Sequence, residues 1–225
     1  MKKTKLIIFG TGIISDCVTA YFKNKKDIEI IAYCIDKQFR ESDNFNGIPI
    51  INKEDILEEF SPKDIKIFVA LGYHNLNRLR EENFKYFKSI GFEFFSYIPD
   101  DLRNFPFKIG RNCLILPGAI IQPHSVIGDN VFIWNDALIG HHSKIGRNSW
   151  LTGGVTIGGL SEIGENCFLG LNASVGPSIG IGDNCILGAN TLTTRNISSN
   201  SVVVQQDTPI HRLNSDQFLK ITQAF

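Results

Sequence analysis

The sequence predicts an α/β N-terminal domain with a small Rossmann-like parallel sheet, followed by a left-handed parallel β-helix of hexapeptide repeats. Two observations lead to this fold class. The first 100 residues alternate short apolar runs with helix-like patterns, and a strict six-residue period of aliphatic residues then runs from Ile109 to Leu187. We therefore expect an N-terminal domain over residues 1–100, a β-helix over 101–204 and a capping tail over 205–225.

Alternating strand and helix signals predict the N-terminal domain. Apolar runs predict strands over residues 5–9, 29–35, 65–71 and 93–97, and apolar periodicity predicts helices over 14–22 and 76–89. Strands joined by helical crossovers pair in parallel. The order is that of βαβ units around a parallel sheet.

A glycine turn, Gly10-Thr11-Gly12, stands between the first strand and the first helix. Such a turn places backbone N–H groups and a helix N-terminus against a phosphate, and Asp36, at the end of the second strand, is placed for a ribose or base. Ser15 occupies the place of a third glycine, and only one mononucleotide-sized half is present. The pattern favours a nucleotide sugar over NAD, with a ligand-free tight turn as the alternative.

The C-terminal half contains an uninterrupted repeat. Neither a helix nor a regular strand has a period of six, so each unit is a short strand plus a turn, and three units form one coil. The turn Ile-Gly-x-Asn recurs once per coil, at positions 109, 127, 145, 163 and 181. The aliphatic residues and the small residues four places after them, including Cys113, Cys167 and Cys185, are expected to fill the interior.

Charge and cysteine content exclude several classes of function. The chain has 23 basic and 23 acidic residues, so no net field attracts it to nucleic acid or to an anionic membrane. No apolar run reaches the roughly 18 residues that a membrane helix needs, and the apolar start is interpreted as a strand and not as a signal peptide. Five cysteines without CxxC spacing fit a reducing cytoplasm.

The order of these motifs resembles one family over nearly the whole chain. The residues that carry the resemblance are Gly10-Thr11-Gly12, Asp36, Gly47-Ile48-Pro49, Phe68-Val69-Ala70-Leu71-Gly72, Asn77, Arg78 and Ile139-Gly140-His141-His142-Ser143. Together they resemble the two-domain sugar O-acyltransferases of the sialic acid O-acetyltransferase type, which include nucleotide-aminosugar N-acetyltransferases. The resemblance implies an acetyl-CoA-dependent enzyme that N-acetylates a nucleotide-linked amino sugar for surface glycan, O-antigen or lipopolysaccharide synthesis. Sugar O-acetylation, or a non-catalytic or metal-binding β-helix, are the alternatives.

The resemblance also implies roles for residues. His141 is expected to be the general base and His142 its neighbour in the catalytic group, with the Gly159 N–H facing the thioester carbonyl. Acetyl-CoA is expected between the β-helices of a homotrimer, at Gly158, Gly159 and Gly176, and no metal is expected. The acceptor is expected on the N-terminal domain, at Gly10, Thr11, Gly12 and Asp36.

Two departures from the family pattern matter. His142 stands where an acidic residue usually orients the base, and Ile13-Ile14-Ser15 stands where many relatives have Gly-His-Gly. The spacing itself supports a site, because Gly159 lies one coil beyond His141 and acyl transfer needs both a base and an oxyanion donor. The alternative is that both histidines are solvated turn residues.

Other polar and aromatic residues of the β-helix were also weighed. Asn135 and Asp136, on the preceding face, are further candidates for contact with the base or acceptor, and turn polarity explains them equally well. His142 and His124, one coil apart, raise a zinc site as the alternative. Trp134 and Trp150 are predicted at a ligand or subunit groove or in simple packing. Asn214 and Gln217 have the spacing of a helix capping box in the tail.

Overall fold

The computed structural model describes residues 3–222. The N-terminal domain has a six-stranded sheet with strand order β3-β4-β2-β1-β5-β6, parallel except for the β3–β4 pair. Its elements are β1 (Thr4–Phe9), α1 (Ile13–Lys23), β2 (Ile28–Ile35), β3 (Asn44–Phe45), β4 (Ile48–Asn52), α2 (Ile56–Glu59), β5 (Lys66–Val69), α3 (Arg78–Ser89) and β6 (Glu93–Phe94). Short 3₁₀ turns lie at Lys37–Phe39 and Asp100–Leu102.

The predicted N-terminal elements are present, with two differences. Helix α3 begins at Arg78 and not at residue 76, because Asn75, Leu76 and Asn77 all have left-handed backbone angles that a helix cannot include. The sequence interpretation also missed the β3–β4 hairpin. Its turn, Asn46-Gly47, has φ of 52° and 76°, the positive values that favour an Asn-Gly pair at this position.

The C-terminal half is a β-helix of three parallel sheets. Strands one coil apart are adjacent within each sheet, as the recurring turn predicts. Each strand has two residues: β7 (Lys108–Ile109), β8 (Leu114–Ile115), β9 (Ile120–Ile121), β10 (Val126–Ile127), β11 (Phe132–Ile133), β12 (Leu138–Ile139), β13 (Lys144–Ile145), β14 (Trp150–Leu151), β15 (Thr156–Ile157), β16 (Glu162–Ile163), β17 (Phe168–Leu169), β18 (Ser174–Val175), β19 (Gly180–Ile181), β20 (Ile186–Leu187), β21 (Leu192–Thr193) and β22 (Val202–Val203).

The repeat produces both the interior and the corners of this prism. The aliphatic residues and Cys113, Cys167 and Cys185 are buried in one continuous core, which confirms the prediction for these thiols. At each corner the residue before the small interior residue has a positive φ, and along one edge of the prism asparagine fills this place in every coil. Their side chains form a ladder, in which Asn112 Nδ2 donates to Asn130 Oδ1 at 2.6 Å.

The N-terminal domain packs directly on one face of the β-helix. The outward residues of that face stack coil upon coil, and Phe68 of β5 lies parallel to Phe132 with ring centroids 5.6 Å apart. Trp150 on the same face is only 2% exposed. The prediction of a surface groove is therefore wrong for Trp150, because the neighbouring domain covers it. The packing alternative is correct for this residue.

Arg80 of α3 joins the two domains. Its guanidinium donates to the carbonyl oxygens of Asn148, at 2.8 Å, and Asn130, at 3.3 Å, and it lies 4.5 Å from the centre of the Phe132 ring. The side chain is fully buried, and this burial lowers its pKa to about 9, so it remains charged at neutral pH.

The tail continues the last coil and then leaves it. Strand β22 pairs with β20, and α4 (Ser215–Thr222) follows. The predicted capping box is confirmed, since Gln217 N–H donates to Asn214 Oδ1 at 2.9 Å and Asn214 N–H donates to Gln217 Oε1 at 3.1 Å. Residues 205–212 are exposed, so a capping role for the tail stays a prediction. Across residues 3–222, no helix has the length and apolar character needed to span a bilayer.

Candidate active site

His141 and His142 lie at a corner of the prism between β12 and β13, and both side chains are exposed. His142 takes the left-handed position of this corner, with φ of 59°. The two residues therefore point differently although they are adjacent, and their rings are nearly perpendicular, at 84°. The repeat places both imidazoles outside the hydrophobic interior, where a ligand can reach them.

The His141 ring is held between His142 and the next coil. Its Nδ1 lies 3.2 Å from His142 Nδ1, so one of these nitrogens donates to the other. On the other side the ring covers Gly159, where a β-carbon would lie 2.8 Å from both Nε2 and Cε1. Only glycine leaves room for the ring in this position. With Nδ1 engaged, Nε2 is the atom free to exchange a proton with a ligand.

Gly159 supplies an unused hydrogen-bond donor beside this base. Its carbonyl accepts from Ser178 N–H at 2.9 Å, but its own N–H has no acceptor within residues 3–222. Gly158 and Gly176 differ, since their N–H groups donate to Val175 O and Thr193 O, both at 2.8 Å. A donor-binding role for those two glycines stays a prediction and is restricted to surface contact.

Gln122 is a functional candidate that the sequence interpretation missed. Its Oε1 accepts a hydrogen bond of 2.9 Å from the His141 N–H, across adjacent coils. His124, from the same preceding coil, has its ring centre 4.8 Å from that of His142. Both residues lie one coil before the two histidines, and this offset is the signal that could have identified them.

The glycine turn lies where the sequence predicts it, after β1 and before α1. Gly10 has a φ of 115°, which favours glycine, and Ser15 closes the turn by donating from Oγ to the Gly10 carbonyl at 2.6 Å. A serine in the third-glycine place therefore has a structural task. Thr11 is half-buried and Gly12 exposed, with no atom within 4 Å of where a Gly12 β-carbon would be. The turn is open to a ligand.

Asp36 lies at the carboxyl end of β2 and is partly engaged within the domain. Its Oδ1 accepts from Lys53 Nζ at 3.0 Å, and the same ammonium donates to Asn83 Oδ1 at 2.8 Å. The Asp36 side chain is 29% exposed. The predicted contact with a nucleoside stays a prediction, since the carboxylate also has this structural partner.

Asn135 and Asp136 occupy a different corner of the prism from His141. Asn135 Nδ2 donates to Pro117 O at 2.8 Å, and its carbonyl accepts from Gly154 N–H at 3.1 Å. Neither residue contacts His141 within the described part of the chain, so the interpretation that they touch the base of the same chain is wrong. The sheet that contains β12 separates the two corners. A role for both residues in acceptor binding stays a prediction.

The glycine turn is on the Asn135 side of the β-helix. Ile14, in the first turn of α1, lines a cavity together with Trp134, Gly153 and Leu171, which come from that side. The predicted acceptor turn and the predicted base are thus parts of two different surfaces in one chain. Within residues 3–222, no three His, Cys, Asp or Glu side chains are grouped to hold a metal ion.

Family models match both domains. Residues 5–91 match the PglD N-terminal domain, residues 108–141 and 124–159 match the bacterial transferase hexapeptide, and residues 162–195 match the hexapeptide repeat of succinyl-transferase. No curated protein sequence matches the chain significantly.

Solved structures share the fold. The acetyltransferase domain of PglB from Neisseria gonorrhoeae, in complex with acetyl coenzyme A, has a TM-score of 0.78 at 22% identity, over 92% of this chain and 100% of that one. PerB from Caulobacter crescentus, in complex with CoA and GDP-perosamine, has 0.77 at 22%, over 89% and 94%. WeeI from Acinetobacter baumannii has 0.63 at 15%, over 93% and 100%. The chain thus joins a PglD N-terminal domain to transferase hexapeptide repeats, which confirms its resemblance to the two-domain sugar acyltransferases.

Proposed function

We propose that this protein is an acetyl-CoA-dependent acetyltransferase that N-acetylates a nucleotide-linked amino sugar, in surface glycan synthesis. The observation that carries the proposal is the His141 imidazole lying over Gly159, whose N–H is without an acceptor among the described residues. A base and an oxyanion donor are the two groups that acyl transfer requires. The acetyl-CoA and GDP-perosamine bound by PglB and PerB support the choice of donor and acceptor.

In the proposed reaction, His141 Nε2 takes the proton from the acceptor amine as the nitrogen attacks the thioester carbonyl. The developing oxyanion accepts from the Gly159 N–H, and collapse of the tetrahedral intermediate forms the amide and releases the CoA thiolate. The proton held on Nε2 then goes to the thiolate. His142 Nδ1 accepts from the His141 Nδ1–H, which keeps Nε2 unprotonated and ready to act as the base.

A direct assay tests this proposal. UDP-, dTDP- and GDP-linked amino sugars, with hydroxyl counterparts, are incubated with acetyl-CoA, and the products are identified by mass spectrometry. We expect a mass gain of one acetyl group on at least one amino sugar nucleotide, with stoichiometric release of CoA. Thiol release that is independent of every acceptor, or acetylation of hydroxyl acceptors alone, would contradict N-acetylation.

We further expect a homotrimer. The predicted acceptor turn and His141 lie on different sides of one β-helix, and a single prism has only an open surface beside Gly159 for the long pantetheine arm. Packing of copies brings one chain's histidine corner against another's acceptor domain and forms a deep cleft for the donor. Exposed leucines at the corners, Leu160 at 57% and Leu171 at 58%, fit such contacts. Light scattering should give three times the chain mass, whereas a stable monomer at assay concentration would contradict this arrangement.

A further inference from the structure

A cavity of about 490 Å³ lies between the two domains beside the glycine turn. One wall comes from the N-terminal domain, where Ile14 is two residues past Gly12 and Tyr73 follows β5. The opposite wall comes from the β-helix and includes Trp134 and Trp150. In sheets of this kind, ligands bind in the crevice outside the carboxyl ends of the strands, and both Ile14 and Tyr73 lie at such ends.

The wall of the cavity is aromatic. The Tyr73 and Trp150 rings are 5.4 Å apart, Trp134 and Trp150 are 5.6 Å apart, and Tyr73 and Phe168 are 4.7 Å apart. The face of an aromatic ring is electronegative, so it packs well against the C–H groups on the face of a sugar ring. Phosphates at the start of α1 would direct the sugar of a bound nucleotide sugar onto this wall.

Few polar groups in the wall can meet a sugar hydroxyl. The Thr152 hydroxyl already donates to Leu169 O at 2.8 Å. The Trp134 Nε1–H is buried and has no acceptor in the part of the chain described. A donor of this kind in a cavity wall favours a ligand that brings one acceptor and otherwise presents carbon.

We propose that Trp134 determines acceptor specificity, by stacking on a hydroxyl-poor, deoxygenated amino sugar and donating one hydrogen bond to it from Nε1. The inference rests on the proposed function, because it places the sugar of that nucleotide-linked acceptor. A fully hydroxylated sugar leaves at least one hydroxyl against carbon, without a partner. Its affinity should be lower by about ten- to a hundredfold.

Intrinsic fluorescence gives a test that needs no acetyl transfer. The chain has two tryptophans, and both line this cavity. Without acetyl-CoA, a nucleoside diphosphate linked to a 6-deoxy amino sugar should change the emission of the unmodified protein, and the bare nucleoside diphosphate should not. The 6-hydroxy counterpart should bind at least about tenfold more weakly. UDP, dTDP and GDP series are each titrated, since the base is a separate variable.

Variants separate stacking from the hydrogen bond, with affinities measured by calorimetry. Trp134→Ala should reduce binding of the 6-deoxy sugar nucleotide to that of the bare diphosphate, whereas Trp134→Phe should keep the stacking and lose about tenfold. Phe105→Ala, which truncates an aromatic residue that is 43% exposed and does not line the cavity, is the control and should change nothing.

The outcomes distinguish this inference from the proposed function. Equal affinity for the bare diphosphate and its sugar conjugates, or unchanged sugar selectivity in Trp134→Ala, overturns the role of Trp134 and leaves acetyl transfer untouched. A sugar-dependent fluorescence change in a protein that transfers no acetyl group supports the role of Trp134 and contradicts the proposed function. Emission that responds to none of these nucleotides overturns the cavity as a sugar site.

Discussion

His141→Ala is expected to lower turnover by roughly 10² to 10⁴ while acetyl-CoA still binds. The range is that of a lost general base. The donor is held by the surface of the prism and the Gly159 N–H, and the substitution removes neither. Because the His141 side chain is exposed and fills no cavity in the interior, the free energy of unfolding should change little. Steady-state kinetics, calorimetry with acetyl-CoA and thermal denaturation measure the three quantities.

His142 provides the matched control. If it orients its neighbour by accepting from the His141 Nδ1–H, His142→Ala should cost less turnover than His141→Ala. His142→Asn should restore part of the loss, since its side-chain oxygen is an acceptor and asparagine tolerates the left-handed backbone, φ 59°, at this corner. Near-normal turnover in His141→Ala would refute the assignment, and a larger loss at His142 would transfer the role of base to that residue.

The β-helix could be predicted from the sequence because its information is local. Each hexapeptide fixes its own strand and turn, and the recurrence of Ile-Gly-x-Asn once per coil fixes which residues stack. The same arithmetic correctly placed Gly159 beside His141 and His124 beside His142. A periodic solenoid allows residues to be matched across coils without any knowledge of the rest of the fold.

Contacts between the domains could not be predicted in this way. Arg80 bonds to Asn130 and Asn148, which are 50 and 68 residues further along the chain, and no periodicity relates a helix of one domain to a corner of the other. Trp150 was therefore expected at a surface groove, although the N-terminal domain covers it. Gln122 was missed for a different reason, since an amide in a solvent-facing turn has no pattern that distinguishes it from ordinary polarity.

The distance between the two halves of the candidate site also depends on tertiary structure. Asn135 and Asp136 are close to His141 in sequence, but one side of the prism separates them in space. Each hexapeptide forms one side of a coil and carries the chain from one corner to the next. Sequence proximity in a β-helix therefore indicates different corners, and a separation of one full coil indicates contact.

Arg80→Ala is expected to lower the free energy of unfolding by about 3 kcal/mol, near the middle of the range for large-to-small substitutions in a core. The substitution leaves a cavity against Phe132 and Trp150, whose rings lie 4.5 and 5.2 Å from the guanidinium carbon. It also removes the hydrogen bonds to Asn130 O and Asn148 O, which have no other donor among residues 3–222. Removing a buried cation that pairs with no carboxylate in the described chain recovers some desolvation energy, so we do not expect the upper end of the range.

Urea denaturation, followed by the emission of the two tryptophans at the domain boundary, measures this change at a fixed protein concentration. Arg78→Ala is the matched control, because Arg78 lies on the same helix and is exposed, and it should change stability by less than about 0.5 kcal/mol. Arg80→Lys should recover little of the loss, since one ammonium cannot reproduce the planar fork that reaches both carbonyls. A loss in Arg80→Ala no larger than that in Arg78→Ala would show that the domains are held together by apolar packing alone.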